Sequence, residues 1–137
     1  MRTPHLLLLG ALACGPERKL IREDRREHAA LGDKAELYWR ALRWGDVSAA
    51  SACVPAEERP AFETWLTGWQ KDERMTDFTL LDVTVGTKME PPRSGRVREA
   101  VVTLRTEGYH ADDQVLRTET ITQRWYRDEH DWYVEWP

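Results

Sequence analysis

The sequence predicts an α+β fold: N-terminal helices packed on one face of a curved four-stranded antiparallel sheet. Two observations carry this expectation. Apolar residues recur at helical spacing up to Asp72 and at every second position after it. The connections between the later apolar runs, GTKMEPPRSG (86–95), GYHADD (108–113) and DEH (128–130), are too short to hold a crossover helix, so neighbouring strands should be antiparallel.

From Ala29 to Trp44, Leu31, Ala35, Tyr38 and Leu42 fall at i, i+4, i+7 and i+11, and Leu37, Ala41 and Trp44 widen the stripe. This is an amphipathic helix with a broad apolar face. Gly45 ends it, and Asp46 is placed to cap a second, short helix that runs through Cys53 and stops at Pro55. A third helix is expected from Arg59 to Gln70, with Pro60 in its first turn and Phe62, Trp65, Leu66 and Trp69 on one face. Strands are then expected over 78–85, 97–107, 115–127 and 131–136, where Val, Thr, Leu, Ile, Trp and Tyr dominate.

The chain has 137 residues, 41% hydrophobic and 32% charged, which suits a single domain. Seven Trp, four Tyr and two Phe supply apolar area that a disordered chain lacks. A formal net charge of -4 leaves no basic excess to neutralise phosphates, so nucleic acid is not an expected partner.

The first residues, MRTPHLLLLGALACG, place Arg2 ahead of an apolar stretch from Leu6 to Ala13, and small residues then precede Cys14. Charge, apolar core and small-x-small site are the order of a secretory signal peptide, here 1–13. Ala11, Leu12, Ala13 and Cys14 resemble the lipobox of bacterial lipoproteins, with Ala11 where that family usually carries Leu. The resemblance implies that Cys14 is diacylated and becomes the new N-terminus. Two acyl chains anchor stably. The expected location is therefore the cell envelope, tethered to a membrane; because Gly15 is not the inner-membrane retention Asp of enteric bacteria, the outer membrane is favoured in a Gram-negative host. Ala11-Leu12-Ala13 also reads as an ordinary A-x-A site, which would release a secreted or periplasmic protein. In that case Cys14 and Cys53 could pair; under lipidation, Cys53 is left as a buried thiol among small residues. Residues 14–29, the lipidated Cys and a charged stretch, are read as a tether or helix extension, because 15–28 hold five basic and four acidic residues with Leu20 and Ile21 as the only large apolar ones.

Residues 30–137 resemble the nuclear transport factor 2-like, or cystatin-like α+β, superfamily. The likeness rests on the first helix, AELYWRALRWGD, and on the closing pair of strands, RWYRDEHDWYVEW, where Trp125, Arg127 and Trp132 match the family's Trp-x-Arg-x-x-Gly-x-Trp and His130 replaces its Gly. It implies a cone whose interior can hold a ligand. Some members place a carboxylate base inside, as isomerases and cyclases do; many small lipoproteins of this type have no known catalysis. Some also dimerise through the exposed sheet.

Among carboxylates, Asp82 alone interrupts FTLLDVTV, and alternation offers two faces: Leu81, Val83 and Val85, or Phe78, Leu80, Asp82 and Thr84. The first is the more apolar and is expected to face the helices, leaving Asp82 outside; the second would make Asp82 a base in an apolar cone, with Tyr38 as hydrogen-bond donor. Tyr38, Trp39, Trp65 and Trp69 are candidates for a pocket wall, with Trp44 considered beside them. Glu119 is read as half of an outer-surface ion pair with Arg117. His110 with Asp112 and Asp113, and His130 with Asp128, Glu129 and Asp131, have metal-ligand types, but turns recruit Asp for their own hydrogen bonds, so no metal is assigned. Hydrolase, phosphate-loop and zinc motifs do not occur, and no cofactor is implied. The expected function is a non-catalytic, membrane-tethered envelope lipoprotein that binds a small apolar ligand or a protein partner. The alternative is a secreted isomerase- or cyclase-like enzyme.

Overall fold

A computed structural model describes residues 16–137, with side chains from residue 22 onward. Helix α1 (Pro16–Trp44) leads to α2 (Val47–Ser51), a single 3-10 turn (Ala56–Glu58) and α3 (Arg59–Asp72). Strands β1 (Glu73–Val85), β2 (Arg98–His110), β3 (Arg117–Arg127) and β4 (Trp132–Val134) follow. They pair in chain order, each antiparallel to the next, as the short connections require. The molecule is thus α+β, helices first and an open four-stranded sheet second.

Local signals set the helix ends. Gly45 closes α1 at φ 70°, a left-handed conformation that glycine adopts without steric cost. The Asp46 carboxylate then accepts a hydrogen bond from the Ala49 amide at 3.0 Å and caps α2. Charge density in residues 16–28 does not interrupt α1, and the segment is no separate spacer: Asp24 reaches Arg98 of β2 at 2.8 Å, and Glu27 stands 2.9 Å from Arg127 of β3. Arg98 is only 4% exposed, so the early turns of α1 supply the counter-charge for a cation folded into the sheet.

The core lies between the helices and one sheet face. Leu31, Ala35, Tyr38, Ala41 and Leu42 of α1 and Phe62 and Leu66 of α3 meet Ala100, Val102 and Leu104 of β2, Trp125 of β3, and Trp132 and Val134 of β4. Trp44 departs from the expected stripe; it is 72% exposed, at the helix end where Arg43 lies 5.0 Å over its ring.

β1 follows neither of the two expected faces. Its pairing with β2 slips at Thr76 and again at Leu81, each slip a β-bulge that adds one residue to β1. Every bulge reverses the alternation. Phe78 and Leu80 therefore pack inward before Leu81, and Val83 and Val85 pack inward after it. Leu81 is 48% exposed and Asp82 faces solvent, so Phe78 and Leu80 of one candidate face and Val83 and Val85 of the other serve the core. Opposite the first bulge, a Cβ on Gly108 would lie 2.6 Å from the Arg74 carbonyl oxygen, and only glycine lets the strands approach this closely.

Candidate functional site

Strand alternation on β3 places Arg117, Glu119, Ile121, Gln123 and Trp125 on the face turned to the helices, and its register with β2 is unbroken. α3 runs directly into β1, so its last turns overhang the far end of this face. Between them lies a cavity of about 640 Å³, within the size range of small-molecule sites. Its apolar wall is Tyr38, Trp39 and Leu42 from α1, Trp65 and Trp69 from α3, Met75, Ile121 and Trp136. Its polar side comes from Glu73, Thr106, His110, Arg117, Glu119, Gln123 and Glu135.

The aromatic wall is ordered by its own contacts. Trp65 and Trp69, one helical turn apart, are stacked with centroids 6.3 Å apart, and Trp136 lies 6.0 Å from Trp65. Behind them Phe62 is fully buried and packs edge-on to Trp136 at 5.6 Å. Tyr38 stands edge-on to both Trp39 and Trp125. The Gln123 side-chain oxygen accepts hydrogen bonds from the indoles of Trp39 and Trp125, each at 3.0 Å. Two indole donors thereby fix one amide at the base of the cavity.

Burial pushes the Tyr38 phenol well above its ordinary value, with the nearby Cys53 adding to the rise and Gln123 opposing it. Tyr38 stays protonated. Burial also raises the Cys53 thiol to about 11, offset in part by Lys34, and its Sγ faces the Ala49 carbonyl oxygen at 3.9 Å. This is an inert, apolar thiol.

The four expected pocket residues, Tyr38, Trp39, Trp65 and Trp69, all line this cavity. Asp82 does not. It is exposed and accepts a hydrogen bond from Thr84 Oγ1 at 2.8 Å, so Tyr38 and Asp82 are not brought into one site. Glu119 departs from its expected place on the outer surface: it lines the cavity, and Arg117 pairs with Asp113 rather than with Glu119. The Arg117 hydrogen bond holds the Asp113 carboxylate down at about 2. Glu119 shares its strand parity with Ile121 and Trp125, and that pattern is the sequence signal that finds it.

The two histidine clusters have turn roles. Asp128 accepts from the amides of His130 at 2.7 Å and Asp131 at 2.8 Å, and Asp131 pairs with Lys34 at 2.6 Å. His110 Nδ1 is paired with Glu73 at the cavity edge, where β1 and β2 begin and end opposite each other. Cys14 lies outside the described residues.

A solved structure shares this fold. It is the solution structure of a SEC-C motif-containing protein from Rhodopseudomonas palustris, similar at a TM-score of 0.52 over 72% of this chain and 69% of that one, with 11% sequence identity. At that identity the likeness concerns the fold alone. No family model and no curated protein matches the chain.

Proposed function

We propose that this protein is a membrane-tethered envelope lipoprotein of non-catalytic type that holds a small, largely apolar ligand between α3 and the sheet. The observation that carries the reading is the cavity of about 640 Å³ walled by Trp39, Trp65, Trp69 and Trp136. Indoles that pack a core are enclosed by protein; here Trp65, Trp69 and Trp136 stay partly exposed and converge on one space. The finer fold reading is nuclear transport factor 2-like. Its support is the closing hairpin, in which Arg127 and Trp132 are register partners and Trp125 and Trp132 are buried.

Tethering rests on the sequence around Cys14 and on the two-chain logic of diacylation. No helix of the described residues is long and apolar enough to cross a membrane. Cys14→Ala should move the protein from the detergent phase to the aqueous phase on phase partitioning; unchanged partitioning refutes the anchor.

Ligand binding is tested by calorimetric titration of the full chain with decanol. Trp65→Ala should weaken binding by about tenfold or more, the loss expected for removing a large aromatic contact, while leaving the circular dichroism spectrum unchanged. Absence of decanol binding to the unaltered protein, or equal affinity in the variant, overturns the assignment of the cavity.

A further inference from the structure

The charges around the cavity divide by where they point and what they meet. His110 is paired with Glu73, Arg117 with Asp113, and Glu135 with Arg96. Arg124 sits between the inward-facing Gln123 and Trp125 and so points to the other side of the sheet. Arg74 turns its guanidinium to the carbonyl oxygens of Gln70 and Glu73. Glu107, between Thr106 and Gly108, alternates away in the same manner. Glu119 is left. Among the described residues it is the inward-facing side-chain carboxylate on the cavity that no basic side chain approaches.

Its neighbours favour a particular ligand. Ile121, two residues on, continues the apolar floor, and the stacked Trp65 and Trp69 overhang it. Indole faces attract cations through the ring quadrupole, and a carboxylate supplies the charge-assisted partner. An anionic head would meet Glu119 with no free inward cation to offset the repulsion. A neutral head would leave the carboxylate unpaired as the ligand displaced its water.

We propose that the ligand is an amphiphile with a single cationic head, of the alkylammonium class, with the head at Glu119 and the chain along Trp65, Trp69 and Ile121. This rests on the reading of the cavity as a ligand site. The experiment compares three ten-carbon probes on the full chain below their micellar concentrations: decyltrimethylammonium, decanol and decanoate. Decyltrimethylammonium should bind at least about tenfold tighter than decanol, as one charge-assisted contact predicts, and decanoate should bind weakest. Glu119→Gln, at an exposed position, should remove the cation's advantage over decanol while leaving the circular dichroism spectrum unchanged. Equal binding of all three probes overturns the cationic head and leaves the cavity reading standing. Tighter binding of decanoate, or a preference that persists in Glu119→Gln, also overturns it. If no probe binds, the cavity reading fails and this inference fails with it.

Discussion

Asp82 keeps the outward place expected of it, whereas Glu119, expected on the outer surface, lines the cavity. Asp82 stands out in the sequence because apolar residues flank it, yet a bulge of one residue, Leu81, turns it to solvent. Neutralising it should therefore change nothing at the cavity: Asp82→Asn should bind decanol with wild-type affinity by calorimetry, whereas a loss would place it at the site after all. Cys53 gives a pH-dependent expectation at the same scale. Its thiol rises from an ordinary 9.0 to about 11 in the folded protein, so between these values the unfolded chain releases a proton that the folded chain retains. Stability should fall as pH rises through that window, and Cys53→Ala should flatten the fall in denaturant midpoints measured from pH 8 to 11.

Among the elements, the helices and the strand order were legible in the sequence because each has a local cause. Gly45, Asp46 and Pro60 punctuate the helices, and short connections force the meander. The path of β1 was not legible, since a bulge leaves no mark in a run of residues that are apolar on both parities. Removal of Leu81 should restore simple alternation, with Leu80 and Val83 inward and Asp82 still outward; the deleted protein should unfold cooperatively, and a molten or insoluble product would show that the bulge sets more than parity. The early turns of α1 were legible as a tether or helix extension, but their contacts with the sheet were not, because charge density marks a segment as solvated only where no counter-charge awaits it. Here Arg98 and Arg127 of the sheet meet Asp24 and Glu27. A chain shortened to 30–137 should accordingly be less stable than 16–137 by roughly 1–3 kcal/mol in urea unfolding, the cost of leaving two poorly hydrated cations unpaired.

For the whole molecule, the sheet does two jobs with one face. Near its middle and at the β4 end, Val102, Leu104, Trp125, Trp132 and Val134 join the helices in a closed core. Toward the β2–β3 connection the helices no longer cover it, and Thr106, Gly108, Arg117 and Glu119 form one side of the open cavity. Substitution at the two ends should separate accordingly. Trp125→Ala should cost about 3–5 kcal/mol of stability, the usual range for a buried aromatic, whereas Trp69→Ala should cost less and act mainly on ligand binding. The pocket wall was legible as Trp39, Trp65 and Trp69 at helical spacing, but whether indoles enclose a core or border a space depends on how far α3 overhangs the sheet. That distance is a property of tertiary packing, which no local pattern encodes. The most direct test is an amide and indole chemical-shift map of the isotope-labelled protein titrated with decyltrimethylammonium. Shifts concentrated at the Trp65 and Trp69 indoles and the Glu119 and Ile121 amides are predicted; shifts confined to the outer sheet around Leu81 and Val101, or no shifts at all, would contradict a ligand site between α3 and the sheet.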